Sequence, residues 1–271
     1  SYAFPDQART YYKNSGFLAD LEASFEVEMD RIAYLGPLRD YPKREYRWTR
    51  ARPSGVGLKG ENAVEAILAA TVAQEKRKLK RTSRPKLFQE MIAFWLREIG
   101  LVADFRVEEI KPGSNLWQAL LRVVKGAPEV LLTEVGFGVS QVLPVITLLY
   151  YVPEGSTVIL EQPEIHLHPA AQAGLADVVI NVAKHRRVQI IIETHSEHFL
   201  LRMQRRMAEE TLEAERVRFY FCRLDEGQSA LDRLEVDLLG NIDNWPRGFF
   251  GDSFGEIASA ERARLKRQIS A

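Results

Sequence analysis

Three stretches within 134–198 carry residues whose types and spacing could do chemistry. The first is Thr157-Val158-Ile159-Leu160-Glu161-Gln162-Pro163-Glu164. Its apolar part is too short for a helix and rich in β-branched residues, so it reads as a buried strand with acidic and amide groups at its C-terminal tip. Ligands in open α/β sheets sit at that edge. A carboxylate there can hold Mg²⁺, directly or through water, and a neighbouring polar side chain can orient the water that attacks a γ-phosphate. Taken alone, Glu161 could equally cap the turn that follows.

The second stretch, Val135-Gly136-Phe137-Gly138-Val139-Ser140-Gln141, precedes an apolar helix. Two glycines and a hydroxyl at a helix start can form an anion site, because free N–H groups and the helix dipole point the same way. The third, Ile190-Ile191-Ile192-Glu193-Thr194-His195-Ser196, puts a histidine at the tip of a second apolar strand, within reach of a phosphate. A lone Gly-x-Gly is usually only a helix start, and a lone histidine is usually structural. The ordered set of three is what points to phosphate chemistry.

These tips need a frame. The pattern predicts an amphipathic stretch over 18–29, a strand at 32–35 stopped by Gly36-Pro37, and a basic, aromatic loop over 38–60. Helices are expected over 61–81 and 86–98, the second ending at Gly100. Short β runs follow at 104–110, 116–124 and 129–133, then a helix from near Ser140 through Tyr150. The strand at 157–160 leads to a helix from Pro169, since proline suits a first helical turn. A second buried strand at 188–192 precedes a helix starting at Ser196, and closing strands are expected at 217–223 and 230–236. Apolar strands alternating with helices indicate a mostly parallel α/β sheet.

Composition sets the outer bounds. With 271 residues, 46% of them hydrophobic, the chain can bury a substantial core. Basic and acidic residues number 37 each, so net charge argues for neither nucleic acid nor membrane. The one cysteine, Cys222, excludes an internal disulfide and suits a reducing, cytoplasmic setting. No apolar run is long enough to span a bilayer, and no signal pattern opens the chain. Because the chain does not begin with Met, it is read as processed, truncated or partly observed.

Read in order, these motifs resemble the C-terminal lobe of ABC-type ATPase heads, most closely the RecF-like and OLD-like AAA family ATPases. Chromosome-maintenance and double-strand-break-repair ATPases are similar at greater distance. The resemblance implies an α/β fold: a P-loop NTPase-like ABC head, C-terminal lobe, with a mostly parallel sheet and a helical insertion. It implies that Gly136, Phe137, Gly138, Val139 and Ser140 are the signature segment that binds nucleotide. Glu161 takes the Walker B position and holds the metal, and Gln162 takes the place of the catalytic glutamate. His168 falls at the D-loop aspartate and His195 at the switch histidine. ATP and Mg²⁺ are the implied cofactors. Tyr34-Leu35-Gly36-Pro37-Leu38-Arg39 and the tail from Gly240 to Phe250 resemble a bacterial subset with a C-terminal extension of unassigned role. The implied division is 1–60 as the end of an N-terminal lobe region, 61–100 as the helical insertion, 101–236 as the ATPase lobe and 237–271 as the extension.

Two departures bear on mechanism. A Walker A loop needs Gly-x-x-x-x-Gly-Lys-Ser/Thr, and Gly-Lys occurs nowhere in this chain. Gly55-Val56-Gly57-Leu58-Lys59-Gly60 has the wrong spacing. The lobe that carries the loop is therefore expected elsewhere, and this chain alone is expected to be inactive. Second, Gln162 cannot accept a proton as a general base. Three readings stay open: slow turnover assisted by Glu164 or His195, an ATP-binding switch, or an engineered trap. The first is preferred, because His166-Leu167-His168 also departs from the transporter pattern.

Under the resemblance two heads pair head to tail around ATP and signal to a nuclease or other effector, in anti-phage defence or DNA maintenance. Two basic stretches could bind nucleic acid: 43–52, with Tyr46 and Trp48, and 76–86, with seven basic residues and no acidic one. Either could instead be a solvated surface. Two further readings compete with a working ATPase. One is a non-catalytic nucleotide-dependent scaffold. The other is a metallohydrolase, since all five histidines (His166, His168, His185, His195 and His198) fall in one stretch.

Overall fold

The structure is a computed structural model that describes residues 16–225 and 227–245. In chain order these form α1 (Gly16–Met29), β1 (Ile32–Leu35), β2 (Tyr46–Arg47), α2 (Ala63–Val72), β3 (Lys76–Arg77), β4 (Lys86–Leu87), α3 (Phe88–Glu98), β5 (Asp104–Glu109), β6 (Leu116–Arg122), β7 (Val130–Leu131), α4 (Phe137–Tyr151), β8 (Thr157–Glu161), α5 (Pro169–Arg186), β9 (Gln189–Glu193), α6 (Glu197–Ala208), β10 (Phe219–Asp225) and β11 (Gln228–Leu234). The chain divides into two compact units, one up to Phe199 and one from Leu200. The C-terminal motif residues beyond Trp245 lie outside the described residues.

The first unit is α/β with a parallel sheet at the site. That sheet has the order β1-β8-β9, with both pairings parallel. Side chains alternate across a strand. In register, Ala33, Val158 and Ile190 share one face with Leu35, Leu160 and Ile192, and Leu35, Val158 and Leu160 are fully buried. Tyr34, Ile159 and Ile191 share the other face. There Ile191 is 51% exposed. The expectation of a fully buried strand at 188–192 is thus corrected. β9 lies at the edge of this sheet, where only one of its faces is packed.

Helix α4 organises the core. Every residue from Val139 to Tyr151 is buried, as suits a helix that is apolar all round. α2, α3 and α5 pack against it. The loop before α2 also comes close: Gly60 has φ +75°, and a Cβ there would lie 2.5 Å from that of Pro144. Fully buried Tyr150 uses its hydroxyl twice, accepting from Trp95 Nε1 at 2.6 Å and donating to Asn181 Oδ1 at 2.7 Å. Buried Arg186 closes the other end of α4, donating to the carbonyls of Leu149 and Val152, each at 2.6 Å. A cation at a helix C-terminus meets carbonyls that have no partner within the helix. Burial lowers this guanidinium to about 10.

Three sequence expectations need correction. The β runs at 104–133 do form, but they pair antiparallel with one another and with β2, in a sheet separate from the parallel one. The helix expected over 61–81 stops at Val72. Gln74 then turns at φ +53°, and the basic stretch becomes the β3–β4 hairpin. A run of like charges gains little from helix geometry, which would stack repelling side chains one turn apart. The following helix, expected from Lys86, begins at Phe88, because Lys86 and Leu87 pair with β3.

In the second unit, β10 and β11 pair with each other as an antiparallel hairpin. After it, Asp237 accepts bonds from the backbone of Leu239 and Asn241, both at 2.8 Å, closing a turn at Gly240. These bonds, with the Asn241 side chain foremost, hold the Asp237 carboxyl below its ordinary range.

Candidate functional site

The tips of β8 and β9 lie side by side. Glu161 and Glu193 are register partners, and the N–H of Gln162 donates to the carbonyl of Glu193 at 2.9 Å. The chain then leaves β8 by an abrupt turn. Gln162 sits at φ +42° and His166 at φ +64°, a region that non-glycine residues rarely adopt. Ile165 N–H reaches the Gln162 carbonyl at 3.1 Å, and Leu167 N–H reaches that of Glu164 at 3.0 Å. Glu164 is thereby turned inward and buried. Its Oε1 accepts the backbone N–H of His195 at 2.9 Å, while its buried Oε2 has no partner among the described residues.

His195 follows β9 after one residue, Thr194. Its backbone is held by Glu164, and its exposed ring pairs through Nε2 with Glu193 Oε1 at 3.1 Å. Ser196 caps α6: its Oγ accepts from Phe199 N–H at 3.0 Å and donates to Gln172 Oε1 at 2.6 Å. The structure therefore brings Glu161, Gln162, Glu164 and His195 together at one end of two adjacent parallel strands.

The glycine segment packs against the same turn. α4 starts at Phe137, not near Ser140, so Gly136 is the N-cap and offers no capping side chain. Val139 N–H turns back to the Gly136 carbonyl at 3.4 Å, while the N–H groups of Phe137 and Gly138 have no acceptor within the helix. A Cβ at Gly138 would stand 3.0 Å from the carbonyl oxygen of His166, so this position needs glycine to let the backbones approach. The Phe137 ring lies edge-on to the rings of His166 and Tyr41, each at 5.4 Å. Val139 is buried, and Ser140 is buried with its Oγ donating to the Phe137 carbonyl at 2.9 Å. That hydroxyl faces its own helix. His168 caps α5, its Nδ1 accepting from Ala171 N–H at 3.3 Å, with Pro169 at the first helical position.

Two residues that sequence reasoning left without a role complete the tip. Tyr34 donates its hydroxyl to Glu161 Oε1 at 2.9 Å, and that bond to a carboxylate raises the phenol above its ordinary range. Arg39, 6% exposed, donates to the carbonyls of Glu161, Gln162 and Pro37. Burial lowers its guanidinium, and the nearby charge of Glu164 opposes that shift. The one available signal was the Tyr34–Arg39 motif itself.

The donor set suits a hard cation. Glu161 and Glu193 offer carboxylate oxygens on one face, and Mg²⁺ takes one or two carboxylates, with phosphate and water filling its other positions. Among the described residues, no three His, Cys, Asp or Glu lie close enough to hold a metal by themselves, as the metallohydrolase reading would require. No described helix is long and apolar enough to cross a membrane.

Residues 6–202 match the family described as "AAA domain, putative AbiEii toxin, Type IV TA system". Residues 212–259 match a family of unknown function, DUF3696. No curated protein matches the chain. Among solved structures it is similar to one from work on ATP-driven dimerization and DNA-stimulated activation of SMC ATPases, at 14% identity and TM-score 0.43, covering 55% of this chain and 83% of that one. It is also similar to an Smc head with an extended coiled coil bound to the C-terminal domain of ScpA, from Pyrococcus furiosus. That likeness has 10% identity and TM-score 0.40, over 54% of this chain and 34% of the other. A third is an SmcHead bound to the C-winged helix domain of ScpA, at 11% identity and TM-score 0.43, over 55% and 43%. The chain thus spans less than half the length of the last two. The family match at 6–202 takes in the glycine segment, both strand tips and the turn between them, and the chain belongs to this family of AAA domains.

Proposed function

We propose that this chain supplies one half of an ATP-hydrolysing site in a head that pairs head to tail with a second head around ATP. Its state would pass to a nuclease or other effector in anti-phage defence or DNA maintenance. The observation that carries this reading is the convergence of Glu161, Gln162, Glu164 and His195 at the end of β8 and β9, with the start of α4 packed on the same turn. Glu161, with Glu193 beside it, would hold Mg²⁺, which supplies charge neutralisation to the phosphates when bound. The Gln162 amide orients the attacking water, and Glu164 keeps the His195 backbone in place. The His195 ring hydrogen-bonds the γ-phosphate. The start of α4, Gly136 to Ser140, receives the γ-phosphate of a nucleotide held by the second head. His168 would lie at that interface. No Gly-Lys occurs in this sequence, so the phosphate cradle comes from outside it. ATP then bridges two surfaces, and hydrolysis removes the bridge.

A second reading, the non-catalytic scaffold, is favoured by one observation: an amide at 162 cannot take a proton. Single-turnover hydrolysis by the assembly that includes the Walker A lobe separates the two.

The two basic stretches differ in the structure. In 43–52, Lys43, Arg44 and Arg52 pair with Glu65, Glu134 and Glu75, and Tyr46 is buried. In 76–86, Arg77 is held by Glu75 and the Tyr150 carbonyl, but Lys78, Lys80, Arg81 and Arg84 are exposed and form no ion pair with a described carboxylate. Lys80 is close enough to the end of α5 to lower His185, adding to burial and to Lys184. A nucleic-acid backbone is accordingly assigned to the hairpin.

The test of the head reading is Gly138→Asp in the ATPase assembly, with Glu161→Gln beside it. Gly138→Asp is expected to abolish ATP-dependent pairing in sedimentation. Glu161→Gln is expected to remove Mg²⁺-dependent hydrolysis while the fold is kept. Pairing that persists in a folded Gly138→Asp protein overturns the reading.

A further inference from the structure

We propose that Arg39 is a positioning residue: through two backbone carbonyls it holds the Glu161–Gln162 tip in the geometry the site needs. What the tip does rests on the ATPase reading above; the hold itself does not.

Buried arginines ordinarily face a carboxylate. Arg39 instead directs its guanidinium at main-chain oxygens: Nη2 to Glu161 at 2.9 Å, and Nη1 to Gln162 at 3.0 Å and to Pro37 at 3.1 Å. Its Nε has no partner among the described residues, and Glu164 acts on the guanidinium through charge. The two carbonyls beyond Pro37 belong to the residues where the chain turns off β8. Gln162 is at φ +42° there, and such a conformation persists only where the surroundings over-determine it. The Gln162 N–H is tied to Glu193, and Arg39 ties the carbonyl on the other side of the same residue. Remove the guanidinium, and the Glu161 carbonyl loses its side-chain donor while the Gln162 carbonyl keeps only the Ile165 N–H, at the point of strain.

The arginine is itself fixed by the chain before it. β1 pairs in parallel with β8, with Tyr34 opposite Ile159. A long side chain can reach the diagonal neighbour two residues on, and Tyr34 reaches Glu161 Oε1 at 2.9 Å. After β1, Gly36 N–H bonds to the Leu58 carbonyl and Asp40 N–H to that of Lys59, both at 2.9 Å, so the turn bearing Arg39 is pinned at both ends. One short segment thus grips the tip twice: Tyr34 orients the carboxylate and Arg39 holds the backbone. A displacement of about 1 Å at such a site is enough to cost roughly 100-fold in rate.

The experiment compares Arg39→Met, which keeps the apolar stem, with Arg39→Lys, which keeps a donor. Hydrogen exchange is measured on this chain. In Arg39→Met, the peptide covering 159–168 is expected to exchange about tenfold faster, a change of the size one lost hydrogen bond produces. Peptides from α3 and from β10–β11 should stay as in the parent, and Arg39→Lys should recover part of the protection. In the assembly that hydrolyses ATP, kcat should fall while KM for ATP stays within about twofold, the signature of a lost transition-state interaction. A merely structural arginine would give a uniform rise in exchange with a lowered Tm. That outcome, or unchanged protection at 159–168, overturns the proposal. If Arg39→Met does not fold, the exchange pattern of Arg39→Lys decides alone. If the assembly proves not to hydrolyse ATP, the ATPase reading fails, and the exchange data still decide on Arg39.

Discussion

Oε1 of Glu164 accepts the backbone N–H of His195 at 2.9 Å. A carboxylate on the turn after β8 thereby ties down the main chain after β9. This bond explains why an acidic side chain is buried beside this turn at all. It satisfies a donor that the end of the sheet would otherwise leave unpaired.

Removing that carboxylate should be costly in a graded way. Glu164→Ala leaves the His195 N–H without its acceptor and is expected to destabilise the first unit by about 2 kcal/mol. Glu164→Gln keeps an acceptor and should cost less. Urea midpoints of the two variants measure the difference, and equal losses would sink the account.

Alkaline stability should depend on Tyr46. Burial pushes its phenol up to about 12 from an ordinary 10. Between those values the unfolded chain has lost the proton and the native state keeps it. The unfolded state then binds fewer protons, so stability is full below pH 10 and falls as pH rises toward 12. The contribution of this one group should reach about 1 kcal/mol by pH 11. Comparing urea midpoints of the parent and Tyr46→Phe at pH 9 and pH 11 isolates it: the phenylalanine variant should lose less over that interval.

The two basic stretches should behave differently toward nucleic acid. Replacing Lys78 and Lys80 by Ala in the β3–β4 hairpin should weaken binding of a labelled oligonucleotide and lower the slope of log K against log salt by roughly one per lysine. Replacing Lys43 and Arg44, already paired with Glu65 and Glu134, should change that slope little. Fluorescence anisotropy across a salt series gives both slopes, and the reverse ranking would move the interface to 43–52.

The strand tips were legible in the sequence because their signals are local. A short β-branched run ending in Glu161, a second ending at Glu193-Thr194-His195, and a helix start at Gly136 each announce themselves within a few residues. The alternation of those runs with helices was enough to place both tips at one end of a parallel sheet. Helix limits were less legible. α4 begins three residues before Ser140, since Gly136 caps it without a side chain. The 61–81 helix was overrun because the β3–β4 pairing that replaces its end joins Lys76 to Leu87 and Arg77 to Lys86, across the intervening loop.

The grip on the tip was legible only as the Tyr34–Arg39 motif, with nothing to say what it touches. Tyr34 and Glu161 are separated by 127 positions, and Arg39 and Gln162 by 123. No periodicity or spacing rule spans such distances; only the parallel pairing of β1 with β8 brings them together. The same holds for the close approach of Gly138 to His166 and for the inward turn of Glu164. By itself, the sequence determined which residue types stand at each strand tip and helix start, because backbone propensity and hydrophobic pattern act between near neighbours. Tertiary structure alone decided which donor meets which acceptor, because those contacts exist only once separate strands have been laid side by side.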